Sequence, residues 1–416
     1  MLVIEGKFFV NGELKNTSIG IEDGRIVTVG NIIRGWDEKI DLGDSLILPG
    51  AVDPHVHFRD PGLTGKEDFR YGTISALHGG VTCVFDMPNT VPAVTTAKIL
   101  EEKKKTVKSK AYTDFGLFSA ITKECNVNEL AKGSVGFKLF MGSTTGNILM
   151  NDDREIQKVL TEISRTGKVT SVHAEDERMI VKGEEKNNHD HLRNRPAAAE
   201  YNAVSRLAQF FKGAKINVCH ATIPQTIDIA HKAGFTVEST IHHIMFNCDR
   251  DGAGYKVNPP LRDETTRMTM MDLFLKGKTD ILGSDHAPHT EEEKKEYQTA
   301  PSGMPGIETS APILMAMLKK GMISLKTLSE CSSKNPAERF GLKKGQIKEG
   351  YDADLAVFDM KRMTKIDCDA LHGKSRSTAY NGTDAIFPKM VMVRGNVQIS
   401  DYELQGKAIG RDVCAN

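Results

Sequence analysis

Neither charge sign is in excess in this chain: 55 lysines and arginines balance 55 aspartates and glutamates, and no block of like charge stands out. The electrostatic footprint of a nucleic-acid binder, or of a protein held on an anionic membrane, is therefore missing. No stretch reaches the roughly 18 apolar residues that a membrane span requires. Cysteine is sparse and irregular, seven residues without a repeated spacing, which does not describe a disulfide framework. The start MLVIEGKFFVNGEL lacks a basic segment followed by an apolar run, so a leader is not expected and a reducing cytoplasm is. Small molecules, rather than nucleic acid or membrane, are the expected partners.

What is present is enough material for a large catalytic domain and a smaller one, since 416 residues at 39% hydrophobic content exceed what one small core needs. The first fifty residues alternate in short runs broken by Gly and Asn, as in LVIEGKFFVNGEL and SIGIEDGRIVTVG, and the last seventy do the same in ADLAVFDM and FPKMVMVRGNVQI. Both ends read as strands and hairpins. We expect residues 1–49 and 350–416 to form one composite β-sandwich domain. Over 50–349 the pattern changes to short continuous apolar runs separated by amphipathic segments, the signature of buried parallel strands alternating with helices. Eight runs can be counted: ILPGAVDPHVHF, VTCVFDMP, DFGLFSAI, VGFKLFM, VTSVHAE, KINVCHA, FTVEST and TDILGSDHAP. The expected fold class is α/β, a (β/α)8 TIM barrel whose active site lies where the C-terminal strand ends converge.

Several of those ends carry polar residues. His55 and His57 stand two apart on the first run, so period-two alternation points both imidazoles the same way. A second His-x-His, His189 and His191 in KNNHDHLRNRP, is expected to be a solvated loop instead. Lys138 sits in the apolar GFKLFM, where a lone ammonium would be costly. A neutral amine there can take up carbon dioxide, and the resulting carbamate has two oxygens with which to bridge metal ions. His173 in SVHAED and His220 in NVCHAT close two further runs, and Asp285 closes the eighth beside His286 and His289. Imidazole with carboxylate suits zinc and related divalent ions. Four histidines, one lysine and one aspartate spread over five strands thus describe a two-metal hydrolytic site, with Asp285 placed to move a proton to the departing nitrogen.

The ordered series PGAVDPHVHFRDPG, MPNT, GFKLFMG, VHAE, VCHA, NPPLR, SDHAPH and SGMPGIET resembles the amidohydrolase superfamily and within it the cyclic amidohydrolases. HVHFRDPG with MPNT, NPPLR and SDHAPH is most similar to the dihydroorotase family. The resemblance implies two zinc ions: His55, His57, Lys138 and Asp285 serve one, while Lys138, His173 and His220 serve the other, with carbamylated Lys138 as the bridge. Some members of that family bridge through an aspartate, and Asp152 and Asp153 lie nearby, but the strand residue here is lysine. Substrate contacts implied are His57, Arg59, Asn89, Asn258 and His289, with the backbone around Pro305 and Gly306. The Arg59 fork suits a ring carboxylate, which hydantoins and dihydropyrimidines lack; an ion pair with Asp60 or Asp68 is the structural alternative.

The same resemblance places Cys219 and Glu238 at a third zinc site, against the plainer role of buried thiol and barrel carboxylate. It makes GSTTGNILMNDD, residues 142–153, either a lid or an ordinary loop, and gives His242 and His243 a structural role. The implied reaction is reversible cyclisation of N-carbamoyl-L-aspartate to dihydroorotate in pyrimidine synthesis. Implied associations are a homo-oligomer or other enzymes of that pathway, such as aspartate carbamoyltransferase. Two rivals remain: the same machinery acting on allantoin or a hydantoin, and a catalytically silent relative that keeps the fold for binding.

Overall fold

Each of the eight apolar runs forms a strand in the computed structural model, which describes residues 1–144, 148–211, 213–375 and 377–415. Ahead of them come β1 (Leu2–Val10), β2 (Glu13–Glu22), β3 (Arg25–Gly30) and β4 (Glu38–Pro49). The barrel strands are β5 (Ala51–Val56), β6 (Val81–Asp86), β7 (Asp114–Ala120), β8 (Gly136–Phe140), β9 (Val169–His173), β10 (Ile216–Val218), β11 (Thr236–Ser239) and β12 (Ile281–Leu282). They pair in parallel and in chain order. A parallel bridge between Val56 and His286 joins the first strand to the segment after the last, and His57 N–H donates to His286 O at 2.8 Å, which closes the ring. Every residue of β5 to β9 is buried, because helices cover the outside while side chains fill the inside.

The covering helices follow local rules. The helix Asp153–Thr166 starts where the Asp152 carboxylate accepts the N–H groups of Arg154 and Glu155, both at 3.0 Å, and stops at Gly167, whose φ of 71° an L-residue would resist. Between those ends Ile156, Val159, Leu160 and Ile163 recur at helical spacing and are buried. Each contributes roughly 1.5–3 kcal/mol by leaving water.

The two ends of the chain share a second large sheet. β13 (Leu355–Phe358), the short pair β14 (Thr364–Lys365) and β15 (Asp384–Ala385), then β16 (Pro388–Val393), β17 (Asn396–Ser400) and β18 (Glu403–Leu404) follow the barrel. One mixed sheet runs β18-β17-β16-β13-β4-β1-β2-β3. It curls on itself: Ile26 N–H in β3 donates to Tyr351 O, and Ala353 N–H to Gly24 O, just ahead of β13. The fold encloses a core that includes Ile19, Ile26, Leu355 and Met392. Asp114, at the start of β7, ties this sheet to the barrel through Lys344 at 2.7 Å and through Arg394. No helix among the described residues is long and apolar enough to cross a membrane.

Candidate active site at the barrel mouth

The strand register delivers the chemistry to one end. His55 lies near the end of β5 and His57 just past it; Lys138 is central in β8, His173 ends β9, His220 follows β10, and Asp285 follows β12. Nε2 of His55 and Nε2 of His57 lie 3.3 and 3.2 Å from the same atom, Oδ1 of Asp285. Lys138 Nζ approaches His55 Nε2 at 3.4 Å, and Nδ1 of His173 stands 3.2 Å from Nε2 of His220. All six line one cavity of about 390 Å³, together with Arg59, Asn89 and Asn258. Lys138 is 1% exposed and does not reach for solvent.

Three of the four rings are aimed by their far sides. Nδ1 of His55 meets Glu238 at 2.6 Å, Nδ1 of His57 meets Asn89 Oδ1 at 2.7 Å, and Nε2 of His173 meets Glu175 at 2.8 Å. Glu175 is held in turn by Arg195, whose Nη2 is 2.5 Å away, and Glu238 also accepts from Asn217 Nδ2 at 3.0 Å. Anchoring one nitrogen in this way fixes the tautomer and leaves the other lone pair facing the cavity. Three non-glycine residues here adopt left-handed backbone, Arg59 at φ 61°, His220 at 37° and Asp285 at 45°. Each such residue costs about 1–3 kcal/mol, a strain characteristic of sites where side-chain direction matters more than stability.

Electrostatics favour ligation at two of the rings; at His55 burial and Lys138 act to lower the imidazole, but Glu238, Cys219 and Asp285 outweigh them and raise it to about 10. Burial lowers His57 to about 3 despite Asp285 beside it, and burial with His173 nearby brings His220 well below the usual imidazole range. Both rings are thereby neutral, the form that binds metal. Burial opposes ionisation of Asp285, but His55, His57 and His220 outweigh it and hold the carboxyl well below its usual range. His55, His57 and Asp285 offer ligand atoms all within 4.8 Å of one another, and Nδ1 of buried His220 has no hydrogen-bond partner among the described residues. The donor set fits divalent metal of the zinc type.

The surrounding residues sort out differently from expectation in several places. Arg59 pairs with neither Asp60, which meets Lys110 at 2.7 Å, nor Asp68, which meets Lys374 at 2.6 Å. Its guanidinium lies 3.3 Å from Pro288 O and 3.2 Å from His289 Nε2. Pro305 and Gly306 line a smaller neighbouring cavity of about 250 Å³, whereas Ser302 and Gly303 of the same loop face the main one. His191 is not solvated: it is buried on the helix Asn188–Asn194 and its Nε2 lies 2.9 Å from Asn258 Oδ1, while His189 is exposed as expected. Asp152 and Asp153 start a covering helix, and Asp153 pairs with Arg206.

Of segment 142–153, Thr144 lines the cavity and accepts from Asn258 Nδ2 at 3.4 Å; Thr145, Gly146 and Asn147 lie outside the described residues. Cys219 Sγ is 3.1 Å from Lys138 Nζ, and Cys219, His55 and Glu238 form a further convergent group. His243 is bonded to Thr240 and Pro259, at 2.8 Å each. Sequence reasoning missed Glu175 and Asp86. Glu175 was signalled by a carboxylate two residues past a strand-end histidine. Asp86 had no such signal, yet its carboxylate accepts Phe58 N–H at 2.7 Å and so fixes the turn that presents Arg59.

The comparisons with known proteins agree with this geometry. The model described as Amidohydrolase family matches residues 46–398. A dihydroorotase of Thermoplasma acidophilum is 37% identical over 96% of this chain and 94% of its own, and one of Methanosarcina mazei is 34% identical over 96% and 94%. Among solved structures, an L-hydantoinase (dihydropyrimidinase) from Arthrobacter aurescens superposes with a TM-score of 0.92 at 28% identity, covering 99% of this chain and 98% of that one.

Proposed function

The chain belongs to the amidohydrolase family, and on that premise we propose that it catalyses the reversible ring closure of N-carbamoyl-L-aspartate to dihydroorotate, a step of pyrimidine synthesis. The observation that carries the choice of substrate is Arg59: a guanidinium 2% exposed, lining the cavity of the histidine cluster, with no ion-pair partner among the described residues. A buried cation without a carboxylate awaits one from the ligand. Full-length relatives named dihydroorotase support the same reading.

His55, His57, Lys138 and Asp285 would hold one zinc ion, and Lys138, His173 and His220 a second, with Lys138 as its carbamate common to both. When bound, such ions lower the pKa of a water molecule and polarise an amide carbonyl. The remaining work falls to the chain. Asp285, ionised and hydrogen-bonding distance from His57, receives the proton of the attacking water and passes it to the ring nitrogen as the carbon–nitrogen bond breaks; ring closure runs the same path backwards. Arg59 and Asn258 line the cavity and would orient the ring through its carboxylate and amide, and His289, which is not in the cavity lining, holds Arg59 from behind. Glu238 orients His55, a role that stands whether or not Cys219 and Glu238 hold a third ion. Seven unpaired thiols accord with a cytoplasmic setting.

The test is an assay of the purified, zinc-loaded protein with dihydroorotate, allantoin, hydantoin and dihydrouracil side by side. Dihydroorotate should be preferred. Faster turnover of an uncharged ring would move the activity to the hydantoinase type, and no turnover of any of them would remove the hydrolase reading.

A further inference from the structure

Away from the barrel mouth a second set of metal-ligating side chains converges. His78 is the last residue of the helix Phe69–His78, Glu308 stands two residues ahead of the helix Ser310–Lys319, and His372 follows the short turn Cys368–Ala370. None of them is among the residues assigned above. One ligand atom from each lies within 4.8 Å of the others. The rings of His78 and His372 are stacked face to face, centroids 3.4 Å apart and 7° from parallel, so at least one ring has to turn out of the stack before one ion can take an in-plane lone pair from both. Glu308 accepts the His372 backbone N–H at 2.9 Å and meets its Nδ1 at 2.7 Å. Gly79 makes the approach feasible: a Cβ there would sit 2.5 Å from Ile307 O and 3.0 Å from the Cα of Glu308.

The unfinished part of this cluster is His78. It is 6% exposed, and its Nε2 is buried with no hydrogen-bond partner among the described residues. A buried polar atom left unpaired is costly, so the arrangement is explained if something supplies the missing contact. The group opens on a cavity of about 890 Å³, which gives room for water or a small anion beside it. Arg362, one of the cations in that wall, is turned over the Tyr402 ring at 3.9 Å.

We propose that His78, Glu308 and His372 form a mononuclear binding site for a divalent transition-metal ion, separate from the barrel centre. Two imidazoles and one carboxylate, with a remaining position open to the cavity, are a donor set that zinc accepts, whereas calcium and magnesium select oxygen donors. Such an ion clips together three segments far apart in sequence: the first barrel helix, the loop that follows the barrel, and the strap 368–375.

The experiment counts metal rather than activity. Full-length protein, His372→Asn and Glu308→Gln are dialysed to equilibrium against graded zinc and their bound metal measured by mass spectrometry, alongside crystals soaked in the same zinc and recorded at its absorption edge. His372 is partly exposed, so its exchange for asparagine leaves the fold in place. The unmodified chain should bind one equivalent more than either variant, with that step weakened about tenfold or more, and an anomalous peak should lie at Nε2 of His78, with the His372 ring turned out of the stack. Equal metal content in all three proteins, or no peak at that position, overturns the proposal. Neither result depends on which substrate the barrel centre turns over.

Discussion

Nζ of Lys138 and Nε2 of His55 face one another at 3.4 Å inside the barrel, and the lysine's other near neighbour is the thiol of Cys219 at 3.1 Å. An amine so placed meets an imidazole and a thiol and, among the described residues, has no carboxylate in ion-pair reach, which is the setting a carbamate would complete.

Lys138→Met should therefore lower the metal content by at least one ion per chain and reduce turnover about 10³-fold or more, because groups acting as a unit fail together. Intact-mass measurement in bicarbonate should find the unmodified chain heavier by one carbon dioxide and Lys138→Met unchanged. Normal metal content in that variant would remove the bridging role.

Arg59→Met should cost dihydroorotate turnover on the order of 10²–10³ in kcat/KM, since truncating one partner of a buried charge pair is worth about 2–5 kcal/mol. Turnover of dihydrouracil or hydantoin, however small, should change by far less. Equal losses on charged and uncharged rings would mean that Arg59 shapes the loop instead of selecting the carboxylate.

Lys103 and Asp86 form a buried pair at 2.5 Å beneath the turn that carries Arg59. Lys103→Met strands the carboxylate and should destabilise by roughly 3–5 kcal/mol, seen as a lowered Tm. Adding Asp86→Asn should recover part of that loss. A double variant no more stable than the single would point to lost packing rather than an uncompensated charge.

Glu185 supplies a pH dependence. Burial pushes its carboxyl up, but His191 at 2.9 Å and Lys256 at 3.0 Å overcome this and bring it down to about 2 from an unfolded value of 4.5. A carboxyl depressed by folding contributes stability that is complete above the unfolded value and is lost as pH falls towards the folded one. Glu185→Gln should thus melt lower at pH 7, by an amount on the order of 1–2 kcal/mol, and the two Tm curves should converge between about pH 5 and 2. Parallel curves over that range would exclude the contribution.

The barrel was legible because buried parallel strands need apolar side chains on both faces, so β5 to β9 stood out as uninterrupted runs. The six cavity residues were legible for the converse reason: a histidine or lysine closing such a run is expensive unless something uses it. Their supports were not. Asn89 and Glu238 were expected as a substrate contact and a third-zinc residue, and Glu175 went unused two residues past a strand-end histidine; only the fold sets them against His57, His55 and His173. His191 was misread because KNNHDHLRN is polar almost throughout; only its Asn187 cap, which accepts Asp190 N–H at 3.0 Å, hints at a helix. Pro305 and Gly306 sit one layer behind Ser302 and Gly303, a difference of loop path that no local pattern encodes.

The curled sheet has a further consequence during synthesis. β4 is flanked by β1 on one side and by β13 on the other, so the strand made among the first fifty residues keeps a bare row of amides and carbonyls until residues 355–358 leave the ribosome. A nascent chain stalled within the barrel therefore presents an open edge to other chains until β13 is made.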